Sequence, residues 1–234
     1  MAVSRKEEAR YLSEVDVLEP LSKEELDELA RRLPDTRLAE GEFLYGPRER
    51  GEGIWVLKKG RVRVYRVDPK GGEFTLEVVR EGTVFGEMGL GPRRLRAAHA
   101  RATEPSLVGF LGREQLEDLI RRNPEVGIRM VHLLSERLRH CHERMADFAD
   151  KDVPARLASL IVYLLESEGV STGEGYEIPT RYTHEQLGTM IGAGRVAVSR
   201  AFADLRQAGA VEQQRRRLHV LDMEALERAA RIER

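Results

Sequence analysis

The stretch THEQLGTMIGAGRVAVSRAFADL, residues 183–205, contains two short helical patterns on either side of a glycine-rich turn. Thr183 with Gln186 three residues later forms a capping box, and apolar residues follow it at helical spacing. The turn Gly192-Ala193-Gly194 needs one residue with a positive φ, which glycine adopts readily. A second helix, beginning near Arg195, has apolar residues at i, i+4 and i+7. The stretch therefore predicts a helix-turn-helix.

Arginine is concentrated in and just after this stretch. Between Arg195 and Arg217 there are six arginines against two acidic residues. Arg195 and Arg200 fall in the first turns of the second helix, where arginine can donate two hydrogen bonds to guanine. Residues 210–212 and 218–220 can pair as strands around a turn of three arginines, which suits phosphate contacts. We therefore predict a winged helix-turn-helix that binds DNA; the alternative is a helical hairpin with a solvated basic face. The predicted DNA-contacting residues are Thr183, His184, Arg195, Val196, Ala197, Ser199, Arg200, Arg215, Arg216 and Arg217.

Upstream of this region lies the pattern of a long amphipathic helix. After Asn123-Pro124, apolar residues alternate at steps of three and four for nearly three heptads. This seam favours a two-stranded dimer over the alternative, an intramolecular core face. Asp152 can cap a new helix with Pro154 in its first turn, so residues 149–153 are predicted to form a hinge. The predicted dimerisation residues are Val131, Leu134, Leu138, Cys141, Met145 and Phe148.

Residues 41–111 show a different pattern, with short alternating runs separated by glycines. This spacing predicts a compact antiparallel β-roll. The fold class is therefore α+β: a β-roll domain over 1–122, a dimerisation helix over 123–150 and a winged helix-turn-helix domain over 151–234. Residues 169–175 are expected to form a loop. The predicted strand runs are 54–58, 61–67, 74–79 and 106–111.

Composition excludes several classes of function. The chain has 39 basic and 40 acidic side chains and one cysteine in 234 residues. One cysteine excludes a disulfide framework and a cysteine-rich metal site. The N-terminus lacks an apolar signal core and no apolar run reaches membrane-spanning length, so we expect a cytoplasmic protein with no membrane partner. Because no nucleophile–base constellation, P-loop or metal-ligand spacing appears, we predict neither an enzyme nor a metal site.

From about Val17 onward, the chain resembles the cyclic-AMP receptor protein/FNR family of bacterial transcription regulators. The resemblance is carried by FGEMGL (85–90), NPE (123–125) and GAGRVAVSR (192–200). It implies a homodimer that binds a pseudo-palindromic operator in double-stranded DNA and contacts RNA polymerase, as an activator. It also implies that His184 contacts a phosphate or a flanking base.

Many members of the family have Arg-Glu at the start of the recognition helix, where this chain has Arg195-Val196. Valine cannot accept a hydrogen bond from cytosine, so we expect relaxed or altered preference at the neighbouring base. The pattern Arg-Val-x-Val-x-Arg is similar to that of the cyanobacterial nitrogen-control regulator in this family.

The resemblance also implies a candidate effector site in the β-roll. In the cyclic-nucleotide binders of the family, the positions of Glu87 and Arg96 hold the ribose and the cyclic phosphate. Ala97 occupies the place of a hydroxyl that binds the phosphate, and Cys141 and His142 occupy the places of two residues that contact adenine. The candidate effector residues are Gly86, Glu87, Arg96, Ala97, Cys141 and His142.

Because several of these contacts are changed, we predict a sequence-specific regulator that needs no cofactor and does not depend on cyclic AMP. Two alternatives stay open. One is a regulator gated by a cyclic nucleotide or another small anion in the β-roll. The other is a ligand-binding module that acts on protein partners.

Overall fold

The alternating residues of the first half of the chain form two antiparallel sheets in a computed structural model. The structure describes residues 10–92, 94–173, 175–214 and 217–232. The strands are β1 Asp35–Leu38, β2 Phe43–Tyr45, β3 Gly53–Lys59, β4 Arg61–Val67, β5 Glu73–Arg80, β6 Thr83–Phe85, β7 His99–Ala102 and β8 Ser106–Gly112. One sheet has the strand order β1-β8-β3-β6 and the other has the order β2-β7-β4-β5. The predicted β-roll is therefore confirmed.

The register of the strands places one apolar face of each sheet inside the roll. Val62 on β4 pairs with Val79 on β5 and with Ala102 on β7, and all three side chains are buried. Leu57 and Phe85 extend the same core from the first sheet. Alternation along a strand sends the intervening residues to the other face. Glu77, two residues before Val79, is therefore on the same face of β5 as Val79.

The first half also contains the helices α1 Lys23–Arg32 and α2 Arg113–Arg122 and the beginning of α3 Pro124–Asp150. Helix α1 begins at a capping box in which Ser22 and Glu25 bond each other's backbone N–H groups. The apolar faces of α1 and α2 and the first turns of α3 enclose a second core with the outer face of β3.

The chain divides into two compact units, Met1–Leu138 and Arg139–Arg234, and the boundary falls inside α3. After the rest of α3, the second unit contains α4 Val153–Glu168, β9 Val170–Thr172, β10 Gly175–Ile178, α5 His184–Ile191, α6 Arg195–Gln207, β11 Val211–Gln214, β12 Arg217–Val220 and α7 Met223–Ala230. Its four strands form a sheet of order β11-β12-β10-β9. No helix in the described part of the chain is long and apolar enough to cross a membrane.

Two local predictions need correction. The predicted loop over 169–175 includes strand β9, because β10 is paired with the wing strand β12 and offers its other edge to Val170–Thr172. The predicted hinge over 149–153 is shorter: α3 continues to Asp150 and α4 begins at Val153. The Asp152 side chain accepts a hydrogen bond from the Ala155 N–H at 3.1 Å, and this cap permits the new helix to begin at once.

Candidate nucleic-acid interface

Helices α5 and α6 form the helix-turn-helix, and local chemistry determines where each begins. Thr183 Oγ1 accepts from the Gln186 N–H at 3.1 Å, and Gln186 Oε1 accepts from the Thr183 N–H at 2.8 Å. The predicted capping box is therefore present. Thr183, predicted to contact DNA, is exposed at the helix start with its hydroxyl engaged in this cap.

The turn between the two helices depends on two glycines. Gly192 ends α5 in the left-handed region at φ 62°, which a residue with a Cβ adopts at a cost. Gly188 lies against the turn: its carbonyl accepts from the Ala193 N–H at 2.9 Å, and a Cβ at Gly188 would clash with the Ala193 carbonyl oxygen. The two helices can approach this closely only because residue 188 has no side chain.

Helix α6 buries one face and exposes the other. Val198, Phe202 and Leu205 are buried, as their spacing predicts. Arg195, Val196 and Arg200 are exposed near the N-terminal end of the helix, while Ala197 and Ser199 are half-buried. Within the described part of the chain, the side chains of Arg195 and Arg200 have no ion-pair partner, so both guanidinium groups are free to reach a groove.

His184 lies between the two helices. Its Nδ1 is 2.8 Å from Ser199 Oγ, and this hydroxyl lies 3.0 Å from the Arg195 carbonyl. Because the hydroxyl donates to that carbonyl, it accepts from Nδ1–H, which leaves Nε2 as the acceptor nitrogen. Nε2 is buried and has no partner among the described residues, and the ring packs on Phe202 at 5.4 Å between centroids. His184 is half-buried, with Nδ1 bonded to Ser199; its contact with a phosphate or a flanking base, which the family resemblance implies, stays a prediction.

The wing is present as two paired strands, with Val211 opposite Val220 and Gln214 opposite Arg217. Arg217 Nη1 lies 2.6 Å from Glu177 Oε1 on β10, so an acidic partner that sequence reasoning missed neutralises this arginine in part. The other two wing residues predicted to contact DNA, Arg215 and Arg216, lie outside the described residues.

The apolar seam of α3 is exposed in the described chain. Every predicted dimerisation residue is exposed, and the stripe extends one turn further toward the N-terminus, to Ile128. Monomeric proteins rarely expose a contiguous apolar stripe of this length. The exposed seam consists of Ile128, Val131, Leu134, Leu138, Cys141, Met145 and Phe148.

Comparison with known proteins finds a matching domain family for each half of the chain. Residues 35–123 match the cyclic nucleotide-binding domain family, and residues 155–229 match the Crp-like helix-turn-helix domain family. The global nitrogen regulator of Nostoc sp. is 32% identical over 166 residues, which cover 70% of this chain and 74% of that protein. The chain belongs to the CRP/FNR family. Like its relatives in this family, it is a DNA-binding transcription regulator and not an enzyme.

Two more members of the CRP/FNR family show how far the likeness extends. The CRP-like cAMP-activated global transcriptional regulator of Mycobacterium tuberculosis is 28% identical over 206 residues, covering 87% of this chain and 91% of that protein. The crystal structure of a CRP-family transcriptional regulator from Thermus thermophilus matches with a TM-score of 0.68 at 27% identity. The match covers 84% of this chain and 97% of that chain.

Arg96, which the family resemblance implies is a phosphate ligand, donates hydrogen bonds to two backbone carbonyls. Its guanidinium is buried, with Nη2 donating to the Gly53 carbonyl at 3.1 Å and Nη1 donating to the Gly86 carbonyl. The same group lies 4.5 Å from the centroid of the Tyr45 ring, and burial lowers its pKa. Ala97, beside it, is exposed. Arg96 therefore ties the end of β6 to β3.

Glu87 begins a short 3₁₀ helix, Glu87–Leu90, and it too has an internal partner. Arg137 of α3 places Nη1 2.8 Å from Glu87 Oε2 and Nη2 2.8 Å from Glu77 Oε1. It also donates from Nη2 to the Val84 carbonyl at 2.7 Å. Burial raises the pKa of Glu77, while the Arg137 charge opposes the rise.

Sequence reasoning missed Arg137 and Glu77. The only sequence signal for Arg137 is a charged residue beside the seam residue Leu138. Cys141 and His142, the other candidate effector residues, belong to the second unit and are exposed on α3.

Proposed function

We propose that the chain is a homodimeric, sequence-specific transcription regulator that binds a pseudo-palindromic operator in the cytoplasm without cyclic AMP. The observation that carries the dimer is the exposed apolar seam of α3. A symmetric partner would cover it with the same stripe, since a twofold contact is self-complementary. Two half-sites about one helical turn apart would follow from such a dimer.

Independence from cyclic AMP is supported by the internal partners of Glu87 and Arg96. A cyclic nucleotide would have to compete with the Arg137 ion pair and with the backbone carbonyls that Arg96 already binds. Removing the partner of a buried charged group is unfavourable, because the group is then neither bonded nor hydrated. We further propose, from family membership, that the DNA-bound dimer contacts RNA polymerase and acts as an activator.

The experiment is a binding titration on duplexes selected from a random pool, with and without cyclic AMP. We expect the same operator affinity in both conditions. Arg195→Ala should cost about 1–3 kcal/mol and relax preference at one base pair in each half-site. Arg228→Ala, which removes an exposed arginine of α7 that pairs with Glu224 in the same helix, is the matched control and should change nothing. Uniform weakening on all sequences by Arg195→Ala would contradict the role in base reading.

A second candidate, an effector-gated regulator, is favoured by one observation. Trp55 Nε1 is buried and has no partner in the described part of the chain, and the indole lies beside Gly86. An indole N–H is a donor only, so a ligand with a carboxylate, phosphate or hydroxyl oxygen would satisfy it. Trp55 is the single tryptophan of the chain. Its fluorescence during a cyclic AMP titration therefore separates the candidates: a saturable change together with tighter operator binding would favour gating.

A further inference from the structure

The C-terminal end of α5 is bonded by two arginines from other helices. The last four carbonyls of a helix have no partner within it. Arg144 Nη2, from α3, donates to the Met190 carbonyl at 2.8 Å. Arg156 Nε, from α4, donates to the Ile191 carbonyl at 3.2 Å. Both cations also suit the negative end of the helix dipole.

Arg144 connects this helix end directly to the dimer seam. It lies on α3 between the seam residues Cys141 and Met145, and its guanidinium is largely buried. Burial lowers the pKa of Arg144, because removal from water penalises the charged form. A rotation of α3 relative to α5 would break its bond to the Met190 carbonyl and so remove a hydrogen bond from a buried cation.

Arg156 connects the same helix end to the linker between α3 and α4. Its Nη1 donates to the Lys151 carbonyl at 2.9 Å, and its guanidinium lies 5.2 Å from the ring centroid of the seam residue Phe148. Lys151 itself bridges the two helices, with Nζ 2.7 Å from Asp147 Oδ1 and 2.8 Å from Ser159 Oγ. Lys151 of the two-residue linker is therefore bonded to α3 through Asp147 and to α4 through Arg156 and Ser159.

We propose that Arg144 and Arg156 act as a clamp, which joins the last turns of the seam helix to the helix-turn-helix and so sets the half-site spacing that the dimer accepts. The inference rests on the proposed homodimer. The two arginines are positioning residues: they contact carbonyls just before the turn into α6, so the orientation of the recognition helix follows that of α3. A dimer with a loose linker would tolerate several spacings, whereas a clamped dimer should accept one.

The test compares operators with the native spacing and with one base pair inserted between the half-sites. Spacing selectivity is the ratio of the two affinities. We expect Arg144→Met to reduce this ratio about tenfold, the scale of one charge-assisted hydrogen bond. Binding to a duplex with a single half-site should not change. Arg144→Lys should restore part of the ratio, because it returns the cation to the helix end without the guanidinium fork.

Arg139→Met is the matched control, since Arg139 lies on the same helix with Glu143 as its ion-pair partner at 2.6 Å. A merely structural role for Arg144 would lower stability without altering spacing selectivity. If Arg144→Met does not fold, as judged by circular dichroism, Arg156→Lys decides in its place. Unchanged selectivity in a folded variant would overturn the clamp. If the wild type fails to dimerise or to bind duplex DNA, the proposed function fails instead.

Discussion

Truncation of one seam residue, Leu138→Ala, tests the dimer quantitatively. The Leu138 side chain is 56% exposed in one protomer, and complete burial of a leucine contributes about 1.5–3 kcal/mol. Covering the exposed half should therefore contribute about 1–1.5 kcal/mol in each protomer, or about 2–3 kcal/mol per symmetric dimer. Loss of this term should raise the dimer dissociation constant about 30- to 150-fold. Alanine also favours the helix, so α3 itself should persist.

Sedimentation equilibrium over a dilution series measures this constant directly. Leu221→Ala is the matched control, because Leu221 is a leucine of similar exposure, 49%, outside the seam. We expect the control to dimerise like the wild type. A dissociation constant unchanged by Leu138→Ala, or raised equally by Leu221→Ala, would refute the assignment of the seam as the dimer contact.

Three further predictions concern the interiors of the two units. Gly188→Ala places a methyl group against the turn carbonyl and should lower the free energy of unfolding in urea by about 2 kcal/mol. Gly173→Ala, which adds a methyl group in open space, should change it by less than about 0.5 kcal/mol; equal effects would exclude the clash. Ser199→Ala removes the partner of the His184 Nδ1 and should cost about 1–3 kcal/mol in the same assay, and unchanged stability would show that this hydrogen bond contributes nothing. Because the pKa of Glu77 is raised from its ordinary value of 4.5, the folded protein keeps the Glu77 proton at a higher pH than the unfolded chain does. Wild-type stability should therefore fall, relative to Glu77→Gln, as pH rises from 4.5, and parallel pH profiles of the two proteins would contradict this.

The helix-turn-helix was predictable because its signals are local. A capping box covers four residues, a glycine turn covers three, and the apolar stripe of α6 repeats within eight. Each of these signals acts on backbone groups or faces that are set by the same short stretch. The seam of α3 was predictable for the same reason, since its period is a property of one helix.

The partners of the charged side chains were not predictable in this way. The family resemblance implies that Glu87 and Arg96 bind an effector, whereas their partners in the structure are Arg137 and two backbone carbonyls. Arg137 is 50 residues from Glu87 along the chain, and no periodicity connects them. His184 shows the same limit, because the partner of its Nδ1, Ser199, lies on the neighbouring helix.

The sequence by itself thus determined the order of the β-roll, the long helix and the helix-turn-helix, together with the apolar stripe of α3. Helix caps, turn glycines and apolar periodicity act over a few residues, so they can be read without knowledge of the fold. Only the tertiary structure decided that Glu87 and Arg96 have internal partners and that Arg144 and Arg156 bond the end of α5. A charged group takes the partners that burial leaves within reach, and those partners depend on how distant segments pack.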